Sequence, residues 1–166
     1  MIKPSFASAW AAAIDIYDPT DAAERVATVI GGQVDRNIHS PDPALRWVNT
    51  CAVRMSYILN RSGALIPKIV GQTVSGADGC QYFYRVKNLI NYLNKDWGQP
   101  AIVKYPQPRS GALAGKKGII LFEVSGWLDA QGHATLFNGS TCYDHCYFYE
   151  PSASYRTNQA NFWSLS

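Results

Sequence analysis

Cys51 lies where a helix is predicted to begin, and that position suits a nucleophile. Asn49 or Thr50 can cap the helix, and apolar residues follow at helical spacing until Gly63. A helix N-terminus carries partial positive charge and free N–H groups, including that of Cys51 itself. These features lower a thiol pKa and can stabilise a developing oxyanion. Position alone also allows a second interpretation, in which Cys51 is a small buried hydrophobic residue.

His133 is the histidine that best suits a general base for this thiol. It begins a predicted strand, and its small neighbours leave room for a substrate to approach the imidazole. The other two histidines, His39 and His145, lie beside a proline-rich loop and in a cysteine-flanked turn. Without Cys51, a structural role for His133 would be the simpler interpretation. Together the two residues predict nucleophilic catalysis by a Cys–His pair.

A third polar group is needed to orient the second imidazole nitrogen, and three acidic residues are candidates. Asp144 is favoured, because a strand pairing after His133 would bring it alongside the imidazole. Asp129, in the loop before His133, and Glu123 are the alternatives.

Cys142 and Cys146 bracket Asp144, and two chemistries are open to them. A disulfide between them would close a small loop and fix the turn that presents Asp144. The rival is a metal site that adds His145 and His133, although the spacing is not a recognised zinc pattern. Because disulfides form in oxidising compartments, the bridge is expected where the protein acts rather than in a producing cytosol.

The composition limits the class of protein that positions these residues. The chain of 166 residues is 47% hydrophobic and 16% charged, which predicts one globular domain over residues 1–166. A net charge of +3, without a basic cluster among aromatics, argues against nucleic acid as a partner. No stretch approaches the roughly 20 apolar residues that would cross a membrane. The apolar run at residues 7–14 is interrupted by Asp15, so no signal peptide is expected. Cys80 is interpreted as a structural thiol.

Helical periodicity dominates the first half of the chain. The first predicted helix places Phe6, Trp10, Ile14 and Tyr17 on its apolar face. A second helix is predicted to end at Gly31, a third to begin at Cys51, and a fourth to cover residues 83–97. Residues 66–79 are predicted as loop.

The second half of the chain has the patterns of β-strands. These are predicted at residues 100–105, 118–124, 133–138 and 147–149. Helices followed by strands predict an α+β domain in which N-terminal helices pack on an antiparallel sheet.

Three blocks of sequence resemble the type VI secretion amidase effectors of family four. The first, residues 49–63, begins Asn-Thr-Cys-Ala-Val-Arg-Met-Ser-Tyr and contains Cys51. The second, residues 126–139, contains Gly-His-Ala-Thr-Leu with His133, and the third, residues 142–148, contains Cys-Tyr-Asp-His-Cys. The blocks follow the family's order, and their combination is far more specific than the cysteine block alone.

The resemblance implies an NlpC-type, papain-like fold and a peptidoglycan amidase. The family's catalytic residues correspond to Cys51, His133 and Asp144, and its third-residue turn is bracketed by a disulfide, here Cys142–Cys146. The implied reaction is hydrolysis of the amide between the γ-carboxyl of D-glutamate and meso-diaminopimelate in stem peptides, with lysis of competitor bacteria. We expect no cofactor and no bound metal.

The resemblance also implies partners and a place of action. The family is delivered by a type VI secretion apparatus into a competitor's periplasm, which agrees with the expected lack of a signal peptide. The protein would be made in the producer cytoplasm. A cognate immunity protein, usually a small helical dimer, would block the substrate groove. Arg54, Trp127 and Leu128 are expected to line that groove.

Three other activities are kept as alternatives. Within the amidase class, the bond could be the D-alanine–diaminopimelate cross-link. A non-catalytic wall-binding module on the same fold would bind peptidoglycan without cleaving it. A metal-dependent hydrolase would use Cys142, His145 and Cys146 as ligands and would be inhibited by chelators.

Overall fold

Helices occupy the first half of the chain and an antiparallel sheet the second half in the computed structural model, which describes residues 2–106, 111–128 and 131–166. The helices are α1 Phe6–Ile16, α2 Ala22–Ile30, α3 Gly32–Ile38, α4 Cys51–Arg61 and α5 Val86–Trp97. The strands are β1 Thr73–Ser75, β2 Gln81–Phe83, β3 Ala101–Lys104, β4 Gly118–Ser125, β5 Gly132–Phe137 and β6 Arg156–Ser164. Strands β1 and β2 form a hairpin, and the main sheet has the antiparallel order β3-β6-β4-β5. The predicted α+β class is confirmed.

Strand β6 is central to the main sheet and was not predicted. It pairs with both β3 and β4, but its polar residues Gln159 and Asn161 obscure the apolar alternation in the sequence. Asn161 is buried, and its amide donates to Leu121 O at 3.0 Å and to Glu123 Oε2 at 2.9 Å. The strand predicted at residues 147–149 is wrong. That segment is irregular, and the rings of Tyr147 and Phe148 pack on one face of the sheet instead.

Each face of the main sheet packs against its own hydrophobic cluster. Ile119 and Leu121 belong to the cluster that the sheet shares with the helices. Ile120 and Phe122 belong to a second cluster under the aromatic segment that follows β5. His133 pairs with Phe122 across β4 and β5, and directly paired residues share a face of the sheet. His133 therefore lies on the face that the aromatic segment covers.

Helix α1 forms where the sequence predicts it, but its buried face differs. The residues that pack inward are Ala9, Ala12, Ala13 and Ile16. Ile14, expected on the apolar face, is 58% exposed. The small alanine side chains let α1 lie close against α4, and this close packing decides which face is buried.

Two short elements depart from the predictions for the segments around them. Gly31 and Gly32, predicted to end α2, also begin α3. Both have positive φ, and the chain turns here from one helix into the next. A Cβ on Gly32 would lie 2.6 Å from Ala77 N, so the close approach of this turn requires glycine. Residues 66–79, predicted as loop, contain strand β1.

Helix α4 is the element around which the domain packs. All its residues from Cys51 to Asn60 are buried. It contacts α1, α2 and α5 among the helices, and β2 and β5 among the strands. A side chain at its first turn is therefore held between the helical layer and the edge strand β5.

Helix α5 begins later than predicted, because Phe83 belongs to β2 and the helix starts at Val86. It ends at Gly98, as expected from the sequence. Across the described part of the chain, no helix combines the length and apolar character needed to span a bilayer.

Candidate active site

Cys51 is the first residue of α4 and is 2% exposed. Thr50 occupies the N-cap position but makes no side-chain cap hydrogen bond there. Asn49 takes over that function, since its Oδ1 accepts the Cys51 N–H at 3.0 Å. This differs from the expectation that the Cys51 N–H is free for an oxyanion. Among the described residues, the N–H of Ala52, the next residue of the first turn, has no partner.

His133 is brought to Cys51 by a close approach between α4 and the start of β5. Cys51 Sγ lies 4.0 Å from Gly132 O. A Cβ on Gly132 would lie 2.3 Å from Phe122 O, so a larger residue there would displace the strand that carries His133. The imidazole packs edge-on against Tyr147, with ring centroids 4.7 Å apart. Its Nε2 faces Asp144, which leaves Nδ1 as the nitrogen available to the thiol.

Asp144 reaches His133 through a turn that follows β5. Phe137 and Cys142 form an isolated antiparallel bridge, and Tyr143 N donates to Leu136 O at 3.2 Å. This pairing places Asp144 beside Thr135, whose hydroxyl donates to Oδ1 at 2.6 Å.

The turn is fixed at both ends. Cys142 and Cys146 are joined by a disulfide across a sequence separation of 4. The His145 N–H donates to Asp144 Oδ1 at 2.6 Å. Because both sulfur atoms are committed to the bridge, they are not thiolates that could bind a metal ion. No group of three or more potential metal ligands occurs within the described residues.

The Asp144 carboxylate lies between a histidine and an arginine. Its Oδ2 is 3.0 Å from His133 Nε2 and also accepts from Arg54 Nη2 at 3.0 Å. The His133 contact is an ion pair at this distance but is not aligned as a hydrogen bond. The side chains of Asp144 and His133 are 2% and 8% exposed, so water screens this contact weakly.

Two other acids were candidates for the position of Asp144. Asp129 lies outside the described residues. The Glu123 carboxylate accepts from Asn161 Nδ2 at 2.9 Å.

Arg54 lies behind the Cys–His–Asp group rather than in a groove. Its Nε donates to Tyr143 Oη at 3.1 Å, and its Nη1 donates to Thr50 Oγ1 at 2.9 Å. The guanidinium carbon is 5.1 Å from the centre of the Tyr17 ring. Together with the Asp144 contact, each of the three guanidinium nitrogens donates a hydrogen bond. Arg54 is therefore buried against Asp144, whereas the sequence suggested a position in the groove.

Burial and neighbouring charges shift the pKa values of Cys51, His133 and Asp144 in opposite directions. Burial disfavours the charged form of each group, but the contacts between them outweigh it. The Cys51 pKa is lowered despite burial, by His133 hydrogen bonding and charge, by the Ala134 N–H and by Arg54. The pKa of His133 rises to about 9 because Asp144 and Cys51 favour the imidazolium. The pKa of Asp144 falls to about 2, mainly through His133. These shifts favour a thiolate–imidazolium pair over the neutral thiol and imidazole.

Cys51 opens onto a cavity of about 420 Å³, which we call the Cys51 cavity. Its lining includes residues of the α4 start, the α5 start and the β4–β5 connection: Asn49, Cys51, Ala52, Tyr84, Arg85, Val86, Lys87, Trp127, Leu128 and Gln131. Trp127 and Leu128 are thus placed at the cavity, and Leu128 is fully exposed. Arg85 and Lys87 were missed from the sequence. The available signal was the position of both cations at the N-terminus of a strongly periodic helix.

Comparison with known proteins adds independent findings. Residues 47–163 match the family model described as "Type VI secretion system (T6SS), amidase effector protein 4" (Tae4). The type VI effector–immunity complex Tae4–Tai4 from Enterobacter cloacae is 38% identical, with a TM-score of 0.86 over 99% of this chain and 100% of that chain. The effector Tae4 from Enterobacter cloacae alone is also 38% identical, with a TM-score of 0.84 over 99% and 98% of the two chains.

A third solved structure, the Tae4–Tai4 complex from Salmonella Typhimurium, is 36% identical, with a TM-score of 0.83 over 99% of this chain and 100% of that chain. A search of curated protein sequences gave no match. Both the family model and these structures cover the α4 start, β5 and the turn with Asp144. The papain-like, NlpC-type fold implied by the resemblance is consistent with this agreement.

Proposed function

This chain belongs to the Tae4 family of type VI secretion system amidase effectors, and from that premise we propose that it cleaves stem peptides through a Cys51 thioester. Family membership makes it an antibacterial effector and a peptidoglycan amidase. The bond that we assign is the amide between the γ-carboxyl of D-glutamate and meso-diaminopimelate. The observation that carries the mechanism is the Asp144–His133–Cys51 series, in which Nε2 faces the carboxylate and the thiol lies at an open cavity.

Acylation begins with the thiolate. Cys51 Sγ attacks the γ-carbonyl carbon of D-glutamate, and a C–S bond forms. The His133 imidazolium gives its proton to the diaminopimelate nitrogen as the C–N bond breaks. The lowered pKa of Cys51 and the raised pKa of His133 support this assignment, because they favour the charged pair that starts the reaction.

Deacylation uses the same groups, but His133 now accepts a proton instead of donating one. The neutral imidazole takes a proton from water, and the hydroxyl oxygen adds to the thioester carbon. The thiolate leaves, and the imidazolium forms again. Asp144 holds the ring so that one nitrogen faces the substrate side, and it stabilises the imidazolium by its charge.

Backbone N–H groups at the α4 start stabilise the negatively charged carbonyl oxygen of the intermediate. Ala52 is the donor that we assign, since it lines the cavity and its N–H has no partner among the described residues. The Cys51 N–H becomes a second donor only when the Asn49 side chain turns away from it.

A partner and a place of action follow from the family. Solved relatives include complexes of Tae4 with the immunity protein Tai4. We extend this to a cognate immunity protein, a small helical dimer, that covers the Cys51 cavity. Residues 1–166 act as one catalytic domain, delivered by the secretion apparatus and active in the periplasm of the target cell.

Digestion of purified Gram-negative peptidoglycan tests the assigned bond. Mass spectrometry of the products is expected to find a disaccharide that carries only L-alanine and D-glutamate. Separation of cross-linked dimers with the D-glutamyl–diaminopimelate bond intact would instead indicate cleavage at D-alanine. Binding without any new product would contradict amidase activity, once oxidation of Cys142 and Cys146 has been verified.

A further inference from the structure

Two cationic side chains border the Cys51 cavity and have no carboxylate partner among the described residues. Arg85 immediately precedes α5, and Lys87 lies in its first turn. Both are exposed, and both line the cavity that contains Cys51. Among residues 2–106, 111–128 and 131–166, neither makes an ion pair with a carboxylate. No Asp or Glu belongs to the described lining of the cavity.

Among the described residues, Arg85 contacts an aromatic ring and no acid. Its guanidinium carbon lies 5.1 Å from the centre of the Tyr84 ring. Tyr84 in turn stacks on Trp47 with centroids 5.0 Å apart, and its hydroxyl donates to Gly71 O at 2.9 Å. Stacking restrains the guanidinium and leaves its N–H donors free to bind a ligand.

The positive charges of Arg85 and Lys87 do not favour the stability of α5 itself. A helix N-terminus is stabilised by acidic residues, yet the first turn of α5 has none and carries a lysine. The helix dipole, Arg85 and Lys87 therefore add positive potential at one wall of the cavity. Such a combination is expected where an anion binds, because the anion compensates all of these charges.

We propose that Arg85 and Lys87 form a carboxylate subsite that binds the free α-carboxylate of the D-glutamyl residue in the stem peptide. This inference rests on the proposed function. Because D-glutamate is linked through its γ-carboxyl, its α-carboxyl stays outside the peptide bond and remains charged. It belongs to the same residue as the carbonyl carbon that Cys51 attacks. Arg85 supplies paired donors for this group, and Lys87 supplies a second positive charge.

The subsite gives the enzyme a selectivity. A peptide with D-isoglutamine has an α-amide in place of the carboxylate and should bind poorly beside two cations. Loss of a charge-assisted contact of this kind corresponds to about a 10- to 100-fold change in kcat/KM. Most of that change should lie in KM, since the contact is present in both bound substrate and transition state.

The test uses two synthetic tetrapeptides, L-Ala-γ-D-Glu-meso-diaminopimelate-D-Ala and its D-isoglutamine analogue. Both are assayed with wild type, Arg85→Gln, Lys87→Gln and the double variant. Lys95→Gln is the matched control, because Lys95 is exposed near the other end of α5. Wild type and Lys95→Gln should prefer the carboxylate peptide, whereas the double variant should cleave both peptides about equally. Arg85→Lys should keep part of the preference.

Two results would overturn the subsite. One is equal cleavage of the two peptides by wild type, and the other is an unchanged preference in the double variant. In both cases the product masses would still report cleavage after D-glutamate, so the proposed function would stand. Failure of wild type to cut either peptide at that bond would overturn the proposed function and the subsite together.

Discussion

Arg54 Nη2 donates a 3.0 Å hydrogen bond to Asp144 Oδ2, the oxygen that also lies 3.0 Å from His133 Nε2. Arg54 follows Cys51 by three residues on α4, so both side chains project from the same side of the helix. One helix therefore carries the thiol and also positions the acid at the opposite end of the proposed triad. A change at Arg54 should therefore affect both the stability of the domain and the geometry of the site.

Removal of Arg54 should destabilise the protein strongly. Arg54→Met leaves the buried Asp144 carboxylate without one of its two charged partners, and such losses cost about 3–5 kcal/mol. Urea unfolding followed by circular dichroism measures the change. Arg36→Met is the control, since Arg36 is exposed and its loss should stay within about 0.5 kcal/mol. Equal stability of the two variants would contradict the role given to Arg54.

The pH dependence of kcat/KM should report the thiolate–imidazolium pair. The imidazolium of His133 is lost as pH rises through about 9, so activity should fall above that pH. The thiolate is lost as pH falls through the Cys51 pKa, which lies below the ordinary thiol value of 9.0. Asp144→Asn removes a charge that raises the His133 pKa, so the alkaline limb should move to lower pH. An alkaline limb at the same pH in wild type and Asp144→Asn would exclude this electrostatic role.

Alkylation should distinguish the two free cysteines. The Cys51 pKa is lowered, whereas burial and Asp78 raise the pKa of Cys80. Limiting iodoacetamide at neutral pH should therefore modify Cys51 first, because the thiolate is the reactive form. His133→Gln should slow the reaction at Cys51 and leave Cys80 unaffected, as measured by peptide mass mapping. Earlier modification of Cys80 would argue against a thiolate at Cys51.

Removal of the disulfide should lower activity as well as stability, although the loop that it closes is small. The double variant Cys142→Ser, Cys146→Ser removes a constraint worth roughly 2 kcal/mol on chain-entropy grounds. It should also lower kcat several-fold, because the turn no longer fixes Asp144 beside His133 and Thr135. Thermal unfolding and peptide hydrolysis measure the two effects. Full activity with an unchanged thermal midpoint would contradict a role of the disulfide in stability and catalysis.

Local signals in the sequence were sufficient to predict part of the fold and of the candidate site. The start of α4 and the start of β5 are marked by capping residues and glycine, so Cys51 and His133 could be identified as a candidate pair. Asp144 could be ranked above the other acids because a hairpin after β5 returns the chain to His133.

Features that depend on distant packing could not be predicted in this way. Strand β6 has buried polar residues whose partners lie on another strand, so its apolar pattern is interrupted. The partner of Arg54 is 90 residues away, and nothing near residue 54 marks that contact. Arg85 and Lys87 acquire their position only when α5 packs beside α4, which creates the cavity.

The most direct test of the proposed mechanism compares hydrolysis by wild type, Cys51→Ala and Cys80→Ala. All three proteins should keep the wild-type circular dichroism spectrum, since alanine is a good helix former at the α4 start. Cys80→Ala should retain full activity on purified peptidoglycan. Cys51→Ala should lose more than about 1,000-fold in rate, because the thioester cannot form. A folded Cys51→Ala protein that retains about one hundredth of the wild-type rate or more would contradict Cys51 as the nucleophile.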